Sequence, residues 1–409
     1  MTRTLRRLAL LLGITGLLVV PTAATAQGAF ELATQDDAVF LLKFWGNRDL
    51  ALDRAKAMGV KSIRVNVAYD KYLAAGRSFA MWDSAVNAIR AKGMKVQFTI
   101  IPAYYYAPPN PGNSYLSYKN TKPSHMGAFV GSIARHFQGR VRTYSIDNEP
   151  NLPTFLTTTG NINRPGSVQA RAALYRKLYI AGYNAVKSVD PANRVLLGEF
   201  TSAKNKGKDP MEFLKAMAPA GAGLKADGVA HHPFQFFVPP GGKDTRYWGI
   251  SNTPKIQAIL RDLARKRALR TPAGGVPPLY YTEFAYLRGG IYAQPESQRA
   301  KWAGSAVRLV RSQGVRQLVW YMAADPVACG PAGKSPCAAG QRKVWDSSVT
   351  STDSTKVLPT YTALALAVGA SGKLPAGTNT GGGAPSSGGG SGSGGVTASA
   401  AERRAAVTP

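Results

Sequence analysis

The sequence predicts an α/β protein, a single-domain (β/α)8 TIM barrel, and three observations carry that expectation. Eight short runs rich in Val, Ile, Leu, Phe and Tyr recur along about 345 residues, positions 27–371. Segments with apolar residues at three- and four-residue spacing fall between them, the order of a parallel barrel ringed by helices. No Gly-rich phosphate loop follows an early run, which leaves an open doubly wound sheet as the weaker alternative.

Residues 1–26 read as a signal peptide. Arg3, Arg6 and Arg7 form a positive start, an apolar run follows, and Ala24-Thr25-Ala26 is a small-residue cleavage site. The run is shorter than the ~20 residues a membrane-spanning helix needs. The expected mature protein is therefore secreted, extracellular, without a transmembrane segment, and monomeric.

The strand-like runs are residues 38–44, 61–69, 95–104, 141–149, 194–200, 227–234, 279–286 and 315–323. Most are nearly continuous in apolar residues, as strands covered on both faces should be. Helical periodicity covers 48–58, 81–91, 124–137, 167–189, 211–217, 252–270, 296–312 and 360–368. In 167–189 an apolar stripe includes Tyr175, Leu178, Tyr179 and Gly182, with Ser167 as N-cap and Asp190-Pro191 as stop. Pro254 suits the first turn of the 252–270 helix.

Cys329 and Cys337 lie in a Gly/Pro-rich loop, CGPAGKSPC, and in an exported chain their expected state is a local disulfide. From about Gly372 the chain turns to Gly, Ser, Thr and Ala. That composition buries too little apolar surface to offset ordering entropy, so 372–409 is expected to be a disordered tail.

Net charge is +29, or +26 without the three leader arginines. It fits a solubility bias or attraction to a polyanion such as an acidic polysaccharide or an anionic cell surface. Export and the absence of a recognition motif exclude nucleic acid as a partner. Two Cys and four scattered His show no ligand spacing, so no metal and no cofactor is expected.

In a barrel, residues at the C-terminal strand ends converge on one face. Those ends supply Trp45, Arg64, Tyr104, Asn148, Glu149, Glu199, His231, His232, Glu283, Trp320 and Asp325. YSIDNEPN (144–151) presents Glu149 at the mouth of the fourth strand. Pro150, lacking an N–H, stops the ladder and biases Glu149 toward extended backbone. LYYTEFAY (279–286) repeats the device with Glu283 on the seventh strand. Two carboxyls with amides, imidazoles and flat rings suit glycosidic-bond chemistry. His231 and His232, adjacent on a strand, must face opposite ways, and His232 is the expected cleft residue. Glu199 reads as a structural partner. Trp45 and Trp320 are open between core packing and a sugar platform, and Tyr104 is a candidate for sugar stacking.

With Asn148-Glu149-Pro150 on strand four, Thr282-Glu283-Phe284 on strand seven, Ile63-Arg64-Val65, His231-His232-Pro233 and Trp320, the chain resembles the retaining glycoside hydrolases of clan A over the whole barrel, about Ala38 to Ala370. It is most similar to family 39 and its actinobacterial relatives, with the cellulase-like family 5 next. The resemblance implies Glu149 as general acid/base and Glu283 as nucleophile on a β-linked poly- or oligosaccharide. It also implies Asn148 on the sugar 2-hydroxyl, Arg64 holding Glu283 ionised, and His232 binding substrate or ordering the glutamates. Two positions depart from the pattern: Asp147 stands where relatives often carry an uncharged residue, and Phe234 where many place a Tyr that bonds the nucleophile. A non-catalytic barrel that binds cell-envelope polysaccharide, and a hydrolase specific for acidic glycans, are the alternatives.

Overall fold

The computed structural model describes residues 29–44, 46–102, 122–161, 163–289, 292–324 and 345–378. The leader, Trp45, Tyr104, Asp325, the Cys329–Cys337 loop and residues 379–409 lie outside them. Eight parallel strands close a barrel in chain order: β1 Glu31–Gln35, β2 Ser62–Ala68, β3 Lys95–Ile101, β4 Thr143–Ile146, β5 Arg194–Thr201, β6 Gly228–His232, β7 Leu279–Phe284 and β8 Gln317–Tyr321. Closure is made by β1 against β8, in register from Glu31–Gln317 to Gln35–Tyr321.

The first strand is a correction. Residues 38–44 were expected to form it, but ELATQ does, and Asp37–Phe40 is a short helix, α1. Asp36 caps that helix by accepting the Val39 N–H at 3.3 Å. Ala38, Val39 and Phe40 are buried by either conformation, so apolarity alone could not choose, and the cap did.

The remaining helices are α2 Arg48–Ala57, α3 Tyr69–Ala74, α4 Ala80–Ala91, α5 Pro123–His136, α6 Val168–Val189, α7 Pro210–Met217, α8 Thr253–Arg265, α9 Glu296–Ser312 and α10 Pro359–Ala367. The α8 pattern was read through residue 270. The helix ends earlier, where Arg267 takes a left-handed φ of 52°, and Leu269–Arg270 pairs with Leu224–Lys225 as a separate two-stranded sheet. At the chain's other end, the Gly372 N–H donates to Ala57 O at 3.2 Å. The packed part therefore runs slightly past 371.

Helix α6 sets the height of the strand ends that matter most. Ser167 starts it by accepting the Ala170 N–H at 3.1 Å. Gly182 lets it settle onto β4, since a Cβ there would meet Ile146 side-chain atoms at 3.0–3.2 Å. Tyr175, fully buried, donates to Ile146 O at 2.6 Å and accepts the Gly198 N–H at 3.1 Å. One phenol thus ties the ends of β4 and β5 together. Arg171 on the same helix donates to Asn151 O at 2.9 Å, and Asn151 Oδ1 accepts the Thr201 N–H at 3.1 Å.

Between β5 and β6 the register slips across Gly198 and Phe200, leaving Glu199 as the extra residue of a bulge. Bulges re-aim side chains, and this one turns Glu199 into the barrel. Gly198 has φ 109° and lies so close to the Phe200 ring and Ala230 O that a Cβ would meet them at 2.4–2.8 Å. Gly198→Ala should therefore cost roughly 2–4 kcal/mol. Gly139→Ala, with φ 74° in open space, should cost only ~1 kcal/mol. Urea unfolding of the two variants checks the difference, and equal midpoints would mean that the bulge carries no such constraint.

Candidate active site

The interior of the barrel mouth is built on one buried cation. Arg64, near the middle of β2 and fully buried, contacts three other strands and the turn after β4 with its guanidinium. Its Nη1 donates to Glu283 Oε1 at 2.7 Å and to Gln35 Oε1. Its Nη2 donates to Asn148 Oδ1 at 2.8 Å and to Glu199 Oε2, and its Nε reaches Glu199 Oε1 at 3.3 Å. Thr99 on β3 adds hydroxyl donation to both Glu199 oxygens at 3.0 and 3.1 Å.

His232 is the second hub. Its Nδ1 lies 2.9 Å from Glu149 Oε1 and 3.6 Å from Glu283 Oε2, while its Nε2 lies 3.8 Å from Glu199 Oε2. Because Nδ1 is common to both, the Glu149 and Glu283 oxygens are within about 6.5 Å of each other, the sum of the two distances. The neighbouring His231 points the other way, as the strand's period of two requires, and donates Nε2–H to Trp248 O at 2.6 Å.

The electrostatics follow from that placement. Burial pushes the Glu199 carboxyl up, but the Arg64 charge, helped by His232, outweighs it and holds the group at about 2. Burial disfavours charge on His232, yet Glu283 and then Glu149 and Glu199 raise it to about 9. His231, buried without a carboxylate against it, is pushed down to about 4. Burial lifts Glu283, with Glu149 and Glu199 pushing the same way and His232 and Arg64 opposing. Asp147, buried behind the mouth, rises to about 8 through desolvation.

The backbone at these positions is strained. Asp147, Glu149 and Glu199 take φ of 69°, 44° and 57°, in the left-handed region that side chains seldom adopt. Glu149 was expected to be extended before Pro150. It turns left-handed instead, held by its N–H on Glu199 O at 3.0 Å and by its carbonyl, which accepts the Leu152 N–H at 2.8 Å. Its side chain is 1% exposed, against 11% for Glu283. Among the described residues, the Glu149 Oε2 atom has no hydrogen-bond partner.

Of the residues expected at the site, Arg64, Asn148, Glu149, Glu199, His232 and Glu283 come together. Glu199, read as a structural partner, is fully buried against Arg64, consistent with that role. Trp320 does not join them. Its fully buried ring donates Nε1–H to Ser347 O at 2.9 Å and lies under the Arg299 guanidinium, 5.9 Å away, so it packs the wall and offers no platform to a sugar. The next residue, half-buried Tyr321, faces the site instead. Burial raises its hydroxyl, as do the charges of Glu283, Asp36 and Asp37. Phe234 belongs to an aromatic cluster, stacked 5.5 Å from Phe236 and edge-on to Trp345 at 5.3 Å. Sequence reading missed Gln35 because β1 was misplaced. It missed Thr99 and Tyr321 because nothing in QFTII or VWY marks which residue turns inward.

Two outcomes follow. His232 should titrate near 9 and His231 near 4 in imidazole NMR spectra. Because the folded value of His232 lies above its ordinary 6.5, its stabilisation is complete below that pH and fades as pH rises toward 9. Removing the hub with Arg64→Met should destabilise by about 3–5 kcal/mol, since it strands buried carboxylates. Adding Glu199→Gln should recover part of that loss in denaturant unfolding, and full additivity would exclude the pairing.

No protein-family model matches the chain, and no curated protein matches it in sequence. Solved structures match its fold. A family 39 glycoside hydrolase from Bacteroides cellulosilyticus WH2 aligns with TM-score 0.56 at 17% identity, over 84% of this chain and 64% of that one. A glucosidase from Croceicoccus marinus aligns with TM-score 0.55 at 14% identity, over 83% and 67%. A GH5_18 protein from Streptomyces cattleya, solved with GlcNAc, aligns with TM-score 0.54 at 13% identity, over 83% and 80%. The chain thus spans slightly under two thirds of the family 39 protein's length. The first and third of these come from the two families that the sequence resembles, and what the chain shares with all three is the eight-stranded barrel.

Proposed function

We propose that the chain is a secreted retaining glycoside hydrolase that cleaves a β-glycosidic bond by double displacement, Glu283 acting as nucleophile and Glu149 as acid/base. The observation that carries the reading is the common neighbour of the two carboxyls, His232 Nδ1, which brings their oxygens within about 6.5 Å. Retaining enzymes hold the pair ~5–5.5 Å apart, whereas inverting ones leave ~6.5–9.5 Å for a water.

The two groups have different surroundings. Glu283, the more exposed, is fixed by Arg64 at 2.7 Å, which favours its anion against the pull of burial. Double displacement then needs Glu149 as the proton donor, and its Oε2, without a hydrogen-bond partner among the described residues, is the atom to offer to the leaving oxygen. Glu283 attacks the anomeric carbon as Glu149 protonates the departing oxygen. Glu149, now ionised, takes a proton from water, which releases the sugar with its configuration retained. Asn148, held by Arg64, is placed beside both groups to bond the 2-hydroxyl. The hydroxyl that feels the Glu283 charge is that of Tyr321, whereas Phe234 has none to offer.

The near-complete burial of Glu149 favours a second reading, a barrel that binds envelope polysaccharide without cleaving it. Glu149→Gln and Glu283→Gln should fold normally and lose turnover of an aryl β-glycoside by roughly a hundred- to ten-thousandfold. NMR of the first product should show the β-anomer. Wild-type turnover in either variant ends the assignment, and binding without hydrolysis across a β-glycan panel selects the second reading.

A further inference from the structure

The loops that follow β5 and β6 join on the mouth side of the barrel. Ala203 and Tyr247 form an antiparallel bridge, and the Lys204 N–H donates to Arg246 O at 3.1 Å. Residues 202–209 and 233–252 carry Lys204, Lys206, Lys208, Lys243 and Arg246 against only Asp209 and Asp244. Asp209 is already engaged, capping α7 and accepting the Trp248 Nε1–H at 2.9 Å. Asp244 pairs with Arg246 at 3.0 Å, yet the Arg246 side chain remains 54% exposed.

Aromatic rings hold these cations in place. The Arg246 guanidinium lies 4.7 Å over Phe237, and the Lys204 ammonium lies 4.7 Å over Trp248. Phe237 is itself 42% exposed, unusual for so large an apolar group. It is also linked to the catalytic residues by a chain of ring contacts. His232 to Phe234 is 6.5 Å, Phe234 to Phe236 5.5 Å, Phe236 to Tyr292 4.4 Å, and Tyr292 to Phe237 5.0 Å. The run of rings leads outward from buried His232 to exposed Phe237, which leaves the platform within reach of another unit of the same glycan. A flat apolar ring beside an exposed guanidinium and an ammonium matches a sugar ring bearing a carboxylate.

We propose that Phe237, Arg246 and Lys204 form a distal subsite for a uronic acid unit of the glycan, so that the substrate is an acidic polysaccharide. The inference rests on the glycosidase reading for its context, but its test measures binding and does not depend on turnover. In wild-type protein, affinity electrophoresis and calorimetry at low salt would compare a β-1,4-glucuronan and a β-mannuronan with their carboxyl-reduced neutral counterparts and with dextran sulfate. At least one polyuronate should bind more tightly than both its neutral counterpart and dextran sulfate. Lys204→Gln/Arg246→Gln should weaken that binding about fivefold or more and flatten its salt dependence. Phe237→Ala should weaken the polyuronate and its neutral counterpart alike. Arg261→Gln/Arg308→Gln, removing two exposed charges from the outer helices, should leave binding unchanged. Equal binding of charged and neutral polymers, equal binding of dextran sulfate, an equal loss from the outer-helix variant, or no binding at all would each overturn the subsite. None of these results bears on Glu149 and Glu283, whose variants are read by turnover.

Discussion

The guanidinium of Arg64 is the interaction on which the rest of this structure depends. A cation with no solvent contact is tolerable only when its donors are satisfied and its charge is matched, and here three strands and the turn after β4 supply the partners. The converse also holds. Glu199 can be fully buried and ionised only because Arg64 is there, and Glu283, more exposed, leans on the same group. A buried pair of this kind is weak as a source of net stability but strong as a constraint on geometry, because each partner fixes the others. Gln35, Asn148, Glu199 and Glu283 are held relative to one another by the same planar fork.

Around that fork the backbone bends away from ordinary barrel geometry. Three acidic residues, Asp147, Glu149 and Glu199, occupy left-handed backbone, and a bulge turns the last of them inward. Such strain persists when neighbouring structure over-determines it. The neighbours are identifiable: Tyr175 clamps the ends of β4 and β5, Asn151 and Arg171 tie the turn after β4 to the loop after β5, and Glu149 N–H is fixed on Glu199 O. Helix α6 is thus more than an outer layer, since its Gly182 contact and Tyr175 hydroxyl set where the acidic turn sits.

Charge is organised differently inside and outside. In the core of the mouth three glutamates face one arginine and one histidine, so the interior carries excess carboxylate and raises His232 far above an ordinary imidazole. The loops above are basic and aromatic. A gradient of that kind sets a positive rim around a negative interior, so an anion is drawn to the loops rather than to the glutamates beneath them.

The sequence by itself determined the alternation of strands and helices, the barrel, and the pair Glu149 and Glu283 at the ends of strands four and seven. These are local signals: apolar runs, helical periodicity, and an Asn-Glu-Pro turn that packing does not explain. It also settled that His231 and His232 must face apart. Only the tertiary structure decided where β1 lies, because residues 38–44 are apolar in either conformation and the choice fell to Asp36 as a cap. Only it decided that Trp320 is wall and Tyr321 is interior, since alternation has a phase that apolar content does not reveal. The partnership of Arg64 with Gln35, Thr99 joining at Glu199, and the left-handed turn at Glu149 depend on contacts between residues tens to hundreds of positions apart. No local pattern encodes those contacts, because closing the barrel is what creates them.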